Sequence, residues 1–360
     1  MEQGRFDVRL SCALILPSAV PTSKPASQPP KVTRRAWSWR SPAFRGLVYQ
    51  VLAVAVLVAV VGFLVHNTLL NMRLRGIQSG FDFLWGPAGF DIGEGLFTFD
   101  SAQSYAMALL AGLLNTLRVA LLGIVLTTVI GVWVGVGRFS RNALLRGLCR
   151  AHVEFFRNVP VLLQLLMWYL VFTEVLPDAL EPWRWGSVFL SKGGLSFPSP
   201  VWSDGVVLWD VPFLGEFAVE GGAALTPEFM ALLLGLTLYT SAFVAEVVRA
   251  GIASVPAGQI EAAQALGLSP RLQMRLVTLP QALRVIIPPL TNQYLNLTKN
   301  SSLAVAIGYP DVVSIANTAI NQTGRAVECI ALIMLVYLFT SLSTSLCMNA
   351  YNARNALRER

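Results

Sequence analysis

An all-α, polytopic transmembrane helical bundle is what this sequence of 360 residues predicts, and three observations carry that expectation. Apolar residues make up 54% of the chain and charged ones only 13%, with a mean hydropathy of +0.59, a balance suited to a bilayer. Six stretches are apolar over the roughly twenty helical residues needed to cross a hydrocarbon core about 30 Å thick. Basic and acidic residues also alternate from one connection to the next, as cationic side chains resist translocation. The net charge of +7 therefore reflects membrane topology, not a nucleic-acid partner, because the basic residues flank apolar spans and aromatics do not interleave with them.

In chain order, residues 1–44 are rich in Pro, Ser, Arg and Lys without helical periodicity, which predicts a disordered cytoplasmic tail. Residues 10–20 are apolar but broken by Ser11 and Pro17, too short to span, and preceded by acidic as well as basic residues. That pattern argues against a cleaved signal, and a misassigned start codon is the bland alternative for the tail. The six spans are expected at 47–65, 105–136, 159–177, 229–248, 283–307 and 327–348. The fifth is the least regular, interrupted by Pro288, Pro289, Asn296, Lys299 and Asn300. The resulting organisation is a tail (1–44), an extra N-terminal span with an outer loop (45–104), a transmembrane domain (105–350) and a C-terminal tail (351–360).

Orientation follows from charge. Lys31, Arg34, Arg35, Arg40 and Arg45 precede the first span. Arg138, Arg141, Arg146, Arg150 and Arg157 lie between the second and third, while Arg249, Arg271 and Arg275 accompany the loop after the fourth. Arg354, Arg358 and Arg360 follow the sixth. The other connections carry Asp82, Asp91, Glu94 and Asp100, then Asp178, Glu181, Asp204, Asp210, Glu216 and Glu220. Both termini and the loop 256–280 are thereby expected in the cytoplasm. The outer insertion 178–226 holds Trp183, Trp185, Trp202 and Trp209, which suits a segment along the bilayer surface. A partial span at 206–217 is too short and acidic to favour.

Catalytic and metal chemistry have little to build on. Cys12, Cys149, Cys329 and Cys347 show no disulfide or zinc spacing, and His66 and His152 are solitary. No Lys follows Gly, so a phosphate-binding Gly-Lys-Ser/Thr loop is missing and any nucleotide hydrolysis is expected on another polypeptide.

The most specific feature is the polar, basic loop after the fourth span. It reads Glu261-Ala262-Ala263, then Gly267, Val277 and Leu279-Pro280. This resembles the EAA loop of ABC-importer permeases, in which two short helices joined by a glycine bend seat in a groove of a cytoplasmic ATPase. Val277 stands where Ile is commoner, and both are apolar knobs. An ordinary amphipathic connector is the plain alternative for the loop alone. Further segments extend the resemblance over roughly 81–360. They are Gly112-Leu-Leu-Asn115-Thr116-Leu117, Phe156-Arg157-Asn158-Val159-Pro160, Ala245-Glu246-Val247-Val248-Arg249-Ala250-Gly251-Ile252, Val255-Pro256-Ala257-Gly258-Gln259 and Leu297-Thr298-Lys299-Asn300-Ser301-Ser302-Leu303.

Together these segments resemble polar amino-acid (HisM-like) ABC permeases, most of all the Q-type membrane subunit of general L-amino-acid and glutamate/glutamine/aspartate/asparagine importers. The resemblance implies a type I (MetI-like) permease core with an extra N-terminal span, in a bacterial inner membrane. It also implies a cytoplasmic ATPase dimer carrying ATP and Mg, a periplasmic amino-acid-binding protein and a second permease of M type. No cofactor is expected on this chain itself. Relatives of this kind carry extra apolar spans in the region corresponding to 205–225, where this chain has a shorter connection, so the span count there stays open.

Candidate residues fall into two groups. For coupling to the ATPase these are Glu261, Ala262, Ala263, Gly267, Leu279 and Pro280, with Leu266, Leu268, Leu272, Met274 and Leu276 as apolar contacts. Glu261 is placed at the start of the first short helix, where a carboxylate favours the positive end of the dipole, and Gly267 at a bend or close approach. Glu246 and Arg249 are three apart on one helix face and are expected to pair, either as a transmission element or as a simple interfacial ion pair. For the substrate path the candidates are Asn115, Thr116, Arg118, Gln164, Asn296, Thr298, Lys299, Asn300 and Ser301. Arg118 and Lys299 are cations inside spans, where charge is costly and commonly serves a wet path. Either Arg118 meets a substrate carboxylate or it snorkels, and either Lys299 does so or it satisfies backbone carbonyls of the broken fifth span.

Two other classes are weaker. An ion-coupled secondary transporter or channel often shows repeated halves, and none is evident. A membrane enzyme needs paired carboxylates or a His/Cys cluster facing one side, and none is evident either.

Overall fold

The computed structural model describes residues 41–74, 76, 79–203 and 206–355. The expected tail, the 10–20 segment and Cys12 lie outside the described residues, as do 356–360. The chain divides into two compact units, one up to Asn71 and one from Met72. The first is represented by α1 (Pro42–Leu74), whose apolar window is unburied along its whole length.

In the second unit α2 (Tyr105–Gly137) starts where the apolar run starts, because Ser104 caps it by accepting from the Met107 amide. The third expected span is preceded by a further helix that meets it at a sharp bend. α3 (Ala143–Asn158) and α4 (Val161–Leu170), the latter continued by a π-helical turn at Val171–Val175, meet at 105°. Pro160 forces the break, since the residue before a proline leaves the helical region, and the Gln164 side chain braces it by donating to the Phe156 and Val159 carbonyls at 3.0 and 2.8 Å. α3 was not expected from the sequence, although Asn142 signals its start by accepting from the Leu144 amide at 2.9 Å.

Next comes α5 (Pro227–Ala253), with Thr226 as its cap and Pro227 in its first turn. It is followed by the short helices α6 (Ala257–Ala265) and α7 (Pro270–Gln273), a π turn at Met274–Thr278, and α8 (Leu279–Asn300), which tightens into a 3-10 turn at Ser301–Ile307. α9 (Val312–Thr323), capped by Asp311, and α10 (Ala326–Asn355) complete the helices. Among the described residues four helices are long and apolar enough to cross a membrane, or six spans if each bent pair counts as one. That agrees with the number of expected stretches, but the fifth is not interrupted where the sequence suggested: α8 runs unbroken through Pro288, Pro289, Asn296 and Lys299, and the 49° bend lies beyond Ile307, before α9.

One region departs locally from the helical expectation. Between α4 and α5 the chain forms a four-stranded antiparallel sheet and two hairpins. The sheet is ordered β1 (Trp183–Trp185), β2 (Val188–Ser191), β3 (Gly194–Phe197), β8 (Ala223–Leu225). The hairpins pair β4 (Ser199–Ser203) with β5 (Val206–Asp210) and β6 (Phe213–Leu214) with β7 (Val219–Glu220). Val/Trp alternation and turn glycines supply the strand pattern, so 206–217 is hairpin and not a seventh span. Its four tryptophans are exposed.

The bundle is held chiefly by α2 against α5. Gly131 and Gly135, four apart on α2, let the backbones approach, as small residues do between membrane helices. A Cβ at Gly131 would lie 2.5 Å from Val244 Cγ1, and one at Gly135 would lie 2.7 Å from the Ala245 carbonyl oxygen. Gly131→Val is therefore expected to splay α2 from α5. The cost is about 1–3 kcal/mol of overpacking, read as a lower apparent melting temperature of the solubilised protein; an unshifted melting curve would show that this seam is not tight.

Candidate functional site

Three groups of side chains lie along α5, one near each end and one midway. At the first end the loop before α2 folds back so that Glu94 is buried against the bundle. Its carboxylate accepts from Arg118 Nη1 at 2.9 Å and from the Thr226 hydroxyl. The Arg118 guanidinium also lies 4.2 Å over the Phe229 ring. Burial pushes the Glu94 carboxyl above its ordinary range, and the Thr226 hydroxyl and Arg118 charge pull it back. Asn115 donates to the Glu94 and Pro310 carbonyls at 2.8 and 3.0 Å, while the Thr116 hydroxyl donates to the Gly112 carbonyl and accepts from the Val312 amide. Asn115 and Arg118 thus meet at Glu94, and with Thr116 they tie the loop, α2 and α9 together. Glu94 was not singled out as Arg118's partner by sequence.

Midway along α5, Tyr239, Thr240 and Phe243 face Gln293, Asn296 and Asn300 of α8 across a cavity of about 310 Å³. The spacing of 293, 296 and 300 places three amides on one helix face. Asn296 and Lys299 are exposed and Asn300 half-buried, although all belong to a span. Lys299 has no carboxylate within ion-pair distance among the described residues. Thr298 and Ser301 are buried and spend their hydroxyls on the Tyr294 and Thr298 carbonyls, within their own chain turns. Gln164 is buried at the α3–α4 break and does not join this cavity.

Near the other end, the Glu246 carboxylate accepts from Arg249 Nε at 2.9 Å and from Arg138, the residue that closes α2. The expected Glu246–Arg249 pair is formed. Arg138, which sequence reading took only as an orienting charge, joins it because α2 and α5 pack closely.

The loop beyond has the expected helix–bend–helix form. α6 ends in a Schellman arrangement, with the Leu268 amide donating to the Ala263 carbonyl at 3.1 Å and the Gly267 amide to the Gln264 carbonyl at 2.9 Å. Gly267 sits at φ +73° with open space around it, so the glycine is needed for a left-handed bend and not for a close approach. Glu261 lies a full turn inside α6, which starts at Ala257, and not at the helix start, because Pro256 sets the N-cap early. Its side chain and Ala262 are exposed while Ala263 is buried. Leu266 is 80% exposed, and Leu272, Leu276, Leu279 and Pro280 are exposed as well. An apolar ridge beside an exposed carboxylate is the chemistry of a docking surface.

Among the described residues no group of His, Cys, Asp and Glu is placed to hold a metal ion. Comparison with known proteins follows the same lines. The chain is 44% identical to the general L-amino acid transport system permease protein AapQ of Rhizobium johnstonii, across 90% of this chain and 96% of that protein. It is 43% identical to the putative amino-acid ABC transporter permease protein YhdX of Escherichia coli, across 90% and 97%. It is 35% identical to the glutamate/glutamine/aspartate/asparagine transport system permease protein BztB of Rhodobacter capsulatus, across 93% and 99%. A crystal structure of an amino acid ABC transporter with histidines superposes with a TM-score of 0.52 at 25% identity, over 69% of this chain and 95% of that one. The profile of one family, the binding-protein-dependent transport system inner membrane component, matches residues 127–358, more than half of the sequence. The chain belongs to that family and is a membrane-spanning transport subunit, not an enzyme.

Proposed function

We propose that this chain is a permease subunit of an ABC importer that carries L-amino acids, polar or broad in range, into the cytoplasm by alternating access. One observation carries the reading of the path. Gln293, Asn296, Lys299 and Asn300 present a polar face, partly exposed, in a span whose depth is fixed by contact with the middle of α5. Such a face is costly against lipid and belongs against a wet pathway or a second subunit. A second permease, of M type in a heterodimer, closes the pathway on that side. Both termini lie in the cytoplasm, where a separate ATPase dimer holding ATP and Mg docks on Glu261, Ala262, Ala263, Gly267, Leu279 and Pro280. A periplasmic binding protein delivers the amino acid. Each conformation is favoured by differential contacts with these partners.

Vesicles containing the purified permeases, ATPase and binding protein test the proposal. Labelled L-glutamate and L-glutamine are expected to accumulate only when Mg-ATP and the binding protein are both supplied. Accumulation without nucleotide would overturn it in favour of an ion-coupled carrier.

A further inference from the structure

We infer that α3 is a surface helix of the bilayer, lying in the boundary between headgroups and acyl chains on the side that carries α6 and α7, and that it binds anionic phospholipid there. The inference needs α4 to be a span and does not depend on which solute the chain carries.

Three stripes run along α3, each set by spacings of three and four. The first packs inward: Cys149 and Val153 are buried, His152 and Phe156 are half-buried, and His152 Nε2 lies 3.0 Å from the Ser241 hydroxyl of α5. The second is apolar and exposed, made of Leu144, Leu148, Ala151 and Phe155. The third holds Arg146, Arg150 and Arg157. A helix surrounded by water gains nothing from a second apolar stripe, and a row of arginines is costly on a helix that crosses the hydrocarbon core. Protein on one flank, acyl chains on the next and water on the third are the surroundings of a helix lying in an interface.

Angle and depth agree with that placement. α3 turns 105° into α4, so with α4 along the bilayer normal α3 runs close to the membrane plane. α4 and its π turn cover Val161–Val175, about 22 Å at about 1.5 Å per residue, which leaves them about 8 Å short of a core about 30 Å thick. That shortfall is made up when α4 starts from a helix already sunk about 5–10 Å into the boundary. Further back along α3, a Cβ at Gly137 would lie 2.6 Å from Cys149 Sγ, so the helix sits level with the last residue of α2.

Charge names the lipid. Residues 139–158 hold four arginines and a single acid, Glu154. Arg146 Nη1 donates to the Ser140 carbonyl at 3.1 Å and closes the turn from α2, whereas Arg141 and Arg150 are exposed. Guanidinium groups match phosphate oxygens, and basic side chains beside an anionic leaflet add to its attraction one by one.

The test uses the full permease complex in lipid nanodiscs. A benzophenone amino acid in place of Leu148 is expected, on illumination, to form adducts with phospholipid; adducts with another polypeptide, or none, would overturn the lipid-facing assignment. Hydrogen exchange read by mass spectrometry then tests the charge. In the wild-type complex, peptides covering 143–158 are expected to exchange about tenfold more slowly when phosphatidylglycerol is added to phosphatidylcholine. High salt should abolish the difference, and so should Arg141→Gln combined with Arg150→Gln. Equal exchange of the wild type in both lipids would overturn anionic binding without need of any variant, and a difference that survives salt or the double substitution would overturn it as well.

Discussion

Glu94→Ala is expected to destabilise the protein by about 3–5 kcal/mol, the range for a buried ion pair that loses one partner. Arg118 would then keep the Phe229 ring and the Tyr309 hydroxyl beside it but lose its ion-pair partner, and the Thr226 hydroxyl would lose its acceptor. The loss is read as a lower apparent melting temperature of the solubilised complex. Glu94→Ala combined with Arg118→Leu is expected to recover most of it, because replacing both members by apolar groups is often close to neutral. A single variant as stable as wild type would mean that the guanidinium reaches water. A double variant no better than the single would mean that the loop, and not the charge, is what Glu94 secures.

Leu266→Glu is expected to release the ATPase while leaving the bundle intact. Leu266 caps α6 and projects almost entirely into solvent, and losing an interface hot spot costs about 2 kcal/mol or more, roughly a thirtyfold fall in affinity. Co-purification of the ATPase and ATP-dependent uptake should fall together, with membrane insertion and melting unchanged. Gly267→Val is expected to act on the same contact by a different route. A β-branched residue at φ +73° is a backbone outlier costing about 1–3 kcal/mol, and relieving the strain opens the angle between α6 and α7. Normal co-purification with both variants would place the ATPase elsewhere on the surface.

Hydropathy made the spans legible. The second was expected at 105–136 and occurs at Tyr105–Gly137, because a long apolar run and a capping serine mark the same boundary. Amphipathic and polar elements were harder. α3 alternates leucines with arginines and reads as a basic loop, although Asn142 and the apolar positions 144, 145, 148, 149 and 153 carry the helical period. The strands between α4 and α5 were hidden by an acidic, tryptophan-rich composition that suggested only an interface.

Site residues divide by range. The Glu246–Arg249 pair is local to one helix and was visible at a spacing of three. Its third member, Arg138, lies 108 positions from Glu246, and Glu94 lies 24 from Arg118, so both links appear only once α2 has packed. Periodicity along a single segment holds no record of them. The amides of 293, 296 and 300 were half legible, since Asn296 and Asn300 stood out as polar interruptions while Tyr239, Thr240 and Phe243 look like ordinary core of α5.

The shared carboxylate of Glu246 has a mechanical consequence. Two arginines from different helices grip one side chain, and just beyond it the glycine seam leaves α2 no room to slide along α5. Torque applied at that end of α5 must therefore turn these two helices as a single strut, and any relative travel is displaced onto α8, on the far side of the amide-lined space.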